Sequence, residues 1–179
     1  MLKYENKTAK AKEKDMENYL KAKILKLIEK NAKMSNADIA TVTGLRESEV
    51  AAAISEMEKD GTIRGYKAVI DWKNVERESV SAIIELKVVP KERLGFEEIA
   101  ERISKYKEVD SVSLMSGACD LNVVVKGKTF SEVSNFVAKE LATLEGVTST
   151  ATQFVMRGYK EFGVQLFSDT DDERGTISL

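Results

Sequence analysis

The chain has 179 residues, of which 42% are hydrophobic and 32% charged, a composition typical of a folded, water-soluble protein. It contains no histidine and one cysteine, which argues against acid–base catalysis, zinc clusters and disulfide frameworks, so we expect neither enzymatic activity nor a cofactor or metal. The net charge of −2 is unevenly divided: residues 1–67 carry 14 Lys and Arg against 11 Asp and Glu, so that end is expected to meet phosphate.

The length of the chain suits two small domains, each with a core of its own. We find no apolar run approaching a membrane span and no hydrophobic signal-peptide core at the N-terminus, so we expect a cytoplasmic protein without a membrane partner.

The N-terminal segment predicts an arm followed by a helix. Residues 1–14 are rich in lysine and poor in apolar residues, which favours a flexible basic arm. A first helix is predicted over 15–30, with its lysines on the solvent side. The predicted apolar stripe comprises Leu20, Ile24, Leu27 and Ile28, and the predicted solvent-facing lysines are Lys21, Lys23 and Lys26.

Two short helices joined by a glycine turn are predicted over 35–61. Ser35 with Asp38 three residues later resembles a capping box, and Gly44 ends the first helix. The second helix ends at Gly61 and has an inward face at i, i+3, i+4 and i+7, formed by Val50, Ala53, Ile54 and Met57. This arrangement is typical of a DNA-reading helix-turn-helix.

The residues that follow predict a wing and a linker. Aromatic and β-branched residues over 62–71 favour a strand leaving the helices. We therefore assign 15–62 to a winged helix-turn-helix domain and 63–79 to a linking strand and hinge, the hinge being the polar stretch 71–79.

From residue 80 onward the periodicity predicts β-α-β-β-α-β, the ferredoxin-like plan of an antiparallel sheet with both helices on one face. The inward residues of the first strand are Ala82, Ile84, Leu86 and Val88; those of the first helix are Phe96, Ile99, Ala100 and Ile103; those of the second are Phe130, Val133, Phe136, Val137, Leu141 and Leu144. The strands are expected at 80–89, 109–115, 121–126 and 147–157. This domain covers 80–160, and 161–179 forms a C-terminal extension with a further edge strand at 160–167 and a mobile acidic tail.

Three motifs in this order resemble the Lrp/AsnC transcription regulators. They are GTIRGYKAVID at 61–71, SGACDL at 116–121 and GVTSTATQFVM at 146–156. The resemblance implies an α+β protein, with an N-terminal winged helix-turn-helix and a C-terminal ferredoxin-like βαββαβ effector (RAM) domain. It also implies dimers paired through their sheets, tetramers or octamers built from them, and an amino acid or similar metabolite bound between dimers.

The same resemblance places the effector at the turn 117–120. A glycine lets backbone N–H groups approach a ligand carboxylate, and the Asp120 carboxylate could accept from its ammonium group. On this reading Asp120→Ala weakens ligand binding and leaves the ligand-free protein unchanged, and a side chain at Gly117 fills the ligand's space. The alternative is that Asp120 only closes a turn. The candidate effector residues are Gly117, Ala118, Cys119, Asp120, Thr150 and Thr152.

Double-stranded DNA is the expected macromolecular partner, although the predicted recognition helix is acidic. Residues 46–60 hold two positive and five negative side chains, so phosphate contacts are expected from basic residues around the helix, including the lysines of the first helix. Substitution of Glu49 or Ser55 is expected to change sequence preference. The candidate DNA contacts are Ser35, Asn36, Arg46, Glu47, Ser48, Glu49, Ala52, Ser55, Arg64 and Lys67.

Two other functions remain open at this point. An oligomeric ligand-binding regulator that has lost DNA binding is compatible with the acidic helix. An enzyme resembling the sirohaem decarboxylases, which share the architecture, is disfavoured because those enzymes rely on histidines that this chain lacks.

Overall fold

The computed structural model describes residues 2–70, 72, 79–89 and 95–166, giving only the backbone for 2–14. It divides into two compact units with the boundary between Ala68 and Val69, within the predicted linking segment 63–79. No helix of the described part of the chain combines the length and the apolar character that crossing a membrane requires.

Three helices build the N-terminal unit: α1 (Leu2–Lys30), α2 (Asn36–Thr43) and α3 (Glu47–Lys59). Their core is formed by Ile24 of α1, Ile39 of α2, and Val50 and Met57 of α3, each at most 1% exposed. The predicted apolar face of α3 is therefore confirmed. That of α1 is confirmed at Ile24, Leu27 and Ile28, whereas Leu20 is half-buried outside this core.

Helix α1 begins at Leu2, well before the predicted start at residue 15, so the prediction of a flexible arm over 1–14 is wrong for the backbone of 2–14. The segment is rich in Lys, Glu and Ala, which are strong helix formers. The scarcity of apolar residues in this segment argues against its packing on a core, but a segment of strong helix formers can still be helical.

The C-terminal unit is the predicted ferredoxin-like fold. Its elements are β1 (Val80–Val88), α4 (Glu97–Ser104), β2 (Val109–Leu114), β3 (Leu121–Gly127), α5 (Phe130–Phe136), a π-helical turn (Val137–Leu141) and β4 (Val147–Phe154). The strands form one antiparallel sheet in the order β2-β3-β1-β4. The predicted connectivity is thus confirmed, and β4 ends three residues earlier than expected.

The sheet packs its core against the two helices. Alternate residues of β1 and β3 are buried there, among them Ile84, Leu86, Leu121 and Val123, each 0% exposed. The expected inward face of the second helix holds except at Phe130, which is 53% exposed at the first position of α5 and stacks edge-on against Phe154.

The C-terminal extension forms a separate hairpin, so the predicted additional edge strand is wrong. β5 (Lys160–Glu161) pairs only with β6 (Val164–Gln165) in a two-stranded sheet. Phe162 and Gly163 between them have φ values of 45° and 81°, which fits a two-residue hairpin turn with both central residues left-handed. Pro90, most of the hinge 71–79 and the acidic tail lie outside the described residues.

Candidate DNA interface and effector turn

Capping residues fix both ends of α2, the first helix of the helix-turn-helix. The Ser35 hydroxyl accepts from the backbone N–H of Asp38 at 3.1 Å and donates to its carboxylate at 2.6 Å. Gly44 ends α2 with φ of 76°, its N–H donating to Ala40 O at 2.8 Å. Because its hydroxyl holds the helix start, Ser35 has a structural role; Asn36 is half-buried as the first residue of α2.

The start of α3 is held by a pair of contacts between Arg46 and Glu49. The Arg46 backbone N–H donates to Glu49 Oε2 at 2.8 Å, and Arg46 Nη2 lies 2.6 Å from Glu49 Oε1. These contacts lower the pKa of Glu49, chiefly through the guanidinium, and raise the pKa of Arg46. Both oxygens of the Glu49 carboxylate are engaged within the protein.

The outward side of α3 is accessible. Glu47, Ser48 and Ala52 are exposed and Ser55 is half-buried, while Val50 and Met57 on the opposite side are buried. The predicted reading side of the recognition helix is therefore the side that faces solvent within this unit.

Four of the five acidic side chains of 46–60 have partners inside the N-terminal unit. Glu49 pairs with Arg46, and Glu56 lies 2.9 Å from Lys21 Nζ. Glu58 accepts from the Tyr66 hydroxyl at 2.9 Å, and Asp60 accepts from the backbone N–H of Thr62 at 2.8 Å, a bond that lowers the pKa of Asp60. Lys21 adds a positive charge that the count over 46–60 leaves out, whereas the hydrogen bonds to Glu58 and Asp60 come from neutral groups and leave those two charges in place.

Two lysines of α1 brace the other helices, so their predicted placement on the solvent side is wrong. Lys21 lies 2.9 Å from both Glu17 and Glu56, and hydrogen bonds to these two carboxylates raise its pKa to about 12. Lys23 Nζ donates to the Val42 carbonyl at 3.0 Å, in the last turn of α2. Both side chains are half-buried, whereas Lys26 is exposed as predicted.

The segment after α3 contains no strand, so the predicted wing strand is not found in residues 62–70. A strand requires a hydrogen-bonding neighbour, and this segment instead begins with a turn in which Ile63 N donates to Met57 O at 2.8 Å. Arg64 and Lys67 are exposed there, and a β-carbon built on Gly61 would come within 3.1 Å of the Arg64 guanidinium. Although Tyr66 is 52% exposed, partial desolvation of its hydroxyl and the hydrogen bond to Glu58 raise its pKa.

The turn 117–120 closes one end of the sheet. Asp120 donates its backbone N–H to Leu86 O at 2.9 Å, its carbonyl accepts from Met115 N at 2.8 Å, and its Oδ2 accepts from Val88 N at 2.8 Å. Val88 lies at the irregularity in the pairing of β1 with β4. The hydrogen bond from Val88 N–H to the Asp120 carboxylate thus supports the alternative interpretation of Asp120 as a turn-closing residue.

Space is available around the other residues of the turn. Gly117 and Ala118 are exposed, and Cys119 is half-buried with a free thiol. Gly117 has φ of 153°, and a β-carbon built on it has no described protein atom within 4 Å, so the space beside it is open within the protomer. Any side chain there would be opposed by the backbone conformation.

Thr150 and Thr152 lie on β4, on the far side of β1 from the turn. Their partners across the ladder are Leu86 and Ile84, so they share the helix-covered side of the sheet and do not project from its open face. Two strand spacings, about 9–10 Å, separate β4 from β3. One protomer therefore does not bring these threonines into contact with the turn.

Sequence reasoning missed three contacts that position the candidate sites: Lys21–Glu56, Tyr66–Glu58 and Asp120–Val88. The spacing Glu17–Lys21 is a readable i, i+4 pair, but Glu56 could not be assigned to it without the packing of α1 on α3. The bond Tyr66–Glu58 joins residues 8 positions apart across the end of α3, and the bond Asp120–Val88 joins residues 32 positions apart, so helical spacing predicts neither.

Comparison with known proteins agrees with this architecture. Residues 81–164 match the family described as Lrp/AsnC ligand binding domain, and residues 17–64 match the family described as winged helix-turn-helix DNA-binding. The two matches coincide with the two compact units and together span most of the chain.

Two relatives illustrate the similarity in sequence. The uncharacterised HTH-type transcriptional regulator YugG of Bacillus subtilis (strain 168) is 42% identical over 156 residues, covering 87% of this chain and 94% of the relative. The leucine-responsive regulatory protein of Haemophilus influenzae is 28% identical over 139 residues, covering 78% and 83%.

Two solved structures illustrate the similarity in fold. The leucine response regulatory protein LrpA of Mycobacterium tuberculosis superposes with a TM-score of 0.66 at 16% identity, covering 82% of this chain and 97% of that one. A Neisseria meningitidis transcriptional regulator in complex with L-Met gives 0.63 at 22% identity, covering 79% and 91%. With a DNA-binding helix-turn-helix joined to this ligand-binding domain, the chain belongs to the Lrp/AsnC family of HTH-type transcriptional regulators.

Proposed function

We propose that this regulator binds specific double-stranded DNA sites through α3 and that an amino acid held by its C-terminal unit controls this binding. The observation that carries the first part is the surface of α3. Its outward side presents small residues, Ser48 and Ala52, while four neighbouring carboxylates are engaged by groups of the same unit.

Small side chains on an exposed helix suit entry into the major groove. A serine hydroxyl can donate to or accept from any base edge, and an alanine methyl can contact the thymine methyl. Arg46, Arg64 and Lys67, exposed around this surface, would contact phosphates and set the register of the helix on the duplex.

The proposed effector site is the turn 117–120. One oxygen of the Asp120 carboxylate accepts from Val88, which leaves Oδ1 to accept from a ligand ammonium. The exposed backbone around Gly117 offers room for a ligand carboxylate. The N. meningitidis relative solved with L-Met supports an amino acid as the class of ligand.

The open face of the sheet favours a homo-oligomer. The open face of the sheet carries Ile83 beside Val124 in direct register, flanked by Ser81 and Glu85. An open sheet with an apolar centre is commonly covered by a second copy of the same chain. We therefore expect at least a dimer, with tetramers or octamers built from it.

The decisive experiment titrates labelled DNA from the gene's own promoter with the purified full-length protein, with and without each amino acid. We expect specific binding that exceeds binding to a scrambled duplex of equal length, and a change in affinity with one class of amino acid. Amino-acid binding without DNA binding would favour the alternative of a regulator that has lost its DNA site.

Light scattering tests the oligomer separately. A particle of at least two chains at micromolar concentration is expected, and a monomer of 19.9 kDa would refute the proposed pairing through the sheet.

A further inference from the structure

Glu49 does two things at the start of α3. Through Oε2 it accepts the backbone N–H of Arg46, which caps the helix, and through Oε1 it holds the guanidinium of the same residue. An ionised carboxylate has about four acceptor sites, and these two contacts use one on each oxygen. A contact of Glu49 with a base edge would therefore have to compete with the helix cap and the guanidinium, both of which hold its carboxylate.

The ion pair is at the surface and can exchange partners. The Arg46 side chain is 79% exposed and that of Glu49 is 41% exposed. Exposed pairs of this kind contribute little net stability, because water and salt screen them. A DNA phosphate that reached Arg46 would bring the same single negative charge as the carboxylate and two oxygens for bidentate contact, whereas Glu49 offers the guanidinium only Oε1.

We propose that Glu49 is an internal competitor for the phosphate contact of Arg46, so that it limits DNA affinity and lowers its salt dependence. This inference rests on the proposed DNA-binding function. Binding must first separate Arg46 from Glu49, and the freed carboxylate then stands near the phosphate. Both effects oppose association on every DNA sequence, since neither involves a base.

The test compares Glu49→Gln with Glu47→Gln in the full-length protein. Each substitution removes one negative charge from the first turn of α3, and Glu47 is exposed. Glutamine at position 49 can still accept from the Arg46 N–H, as it does in natural capping boxes, so the helix start is preserved. The matched pair separates loss of the ion pair from a general change in charge.

Binding is measured by fluorescence anisotropy on the promoter duplex and on a scrambled duplex between about 50 and 200 mM salt. We expect Glu49→Gln to bind both duplexes about two- to fivefold more tightly than Glu47→Gln does. We also expect its plot of log affinity against log salt to be steeper by about one. In an Arg46→Ala background the two glutamine variants should bind alike, because no guanidinium remains to be released.

The outcomes are distinguishable from those of the proposed function. If wild type binds DNA and the two glutamine variants have equal affinities and slopes, Glu49 is not a competitor and the inference is overturned. A changed preference between the two duplexes in Glu49→Gln alone would restore a base-reading role and overturn it as well. If no variant binds either duplex at the lowest salt, the DNA-binding function fails and this inference fails with it.

Discussion

Replacement of Asp120 separates a structural role from a ligand contact. In Asp120→Ala the backbone N–H of Val88, a buried residue, loses its acceptor at 2.8 Å. A hydrogen bond to a charged group of this kind contributes about 1.5–3 kcal/mol. At about 5 °C per kcal/mol for a domain of about 100 residues, the C-terminal unit should melt roughly 8–15 °C lower. This differs from the expectation from sequence that the ligand-free protein is unaffected.

Asp120→Asn supplies the matched variant. Its amide oxygen can still accept from Val88 N–H, although as a neutral acceptor, so its melting temperature without ligand should fall less than that of Asp120→Ala. It removes the negative charge that would pair with a ligand ammonium, so amino-acid affinity should fall about 10- to 150-fold. DNA binding without effector should persist.

Differential scanning calorimetry of the ligand-free proteins and titration calorimetry with the responding amino acid measure the two effects. Ser116→Ala, an exposed position at the start of the same turn, serves as the control. An unchanged melting temperature in Asp120→Ala would refute the structural reasoning. Wild-type affinity in Asp120→Asn would refute the effector contact.

Three further predictions concern the N-terminal unit. Arg64→Ala and Lys67→Ala should each weaken binding to all duplexes and lower the salt slope by about one, as loss of a phosphate contact does. Ser35→Ala should cost about 0.5–2 kcal/mol of unfolding free energy, measured by urea titration, because α2 loses its N-cap. Because the pKa of Lys21 is raised on folding, its ion pairs add stability that is fully present below pH 10.5 and is lost as pH rises through about 12. Lys21→Met lacks this titrating group, so its melting temperature should fall less than that of wild type over the same pH range. Unaltered low-salt affinity in both the Arg64 and Lys67 variants would move the phosphate contacts elsewhere. A Ser35→Ala variant as stable as wild type would contradict the predicted N-cap contribution. A melting temperature of Lys21→Met that falls in parallel with that of wild type up to pH 12 would contradict the predicted role of Lys21.

The sequence by itself determined what depends on neighbours along the chain. The stops at Gly44 and Gly61, the cap at Ser35 and the inward faces of α3 and α4 were all readable, because caps and helical faces involve residues within one or two turns. The alternation of β1 and the order of elements after residue 80 likewise predicted the ferredoxin-like sheet.

Contacts between elements were decided only by the tertiary structure. The pairing of Lys21 with Glu56 depends on how α1 packs on α3, and the bond from Val88 to Asp120 depends on the register of β1. Ladder register also turns Thr150 and Thr152 toward the helix side. Glu49 and Asp60 have partners two or three residues away, but charge counts along the chain could not anticipate the partner of Glu56. That partner, Lys21, is set by the packing of α1 on α3, and spacing in sequence does not identify a contact between separate elements.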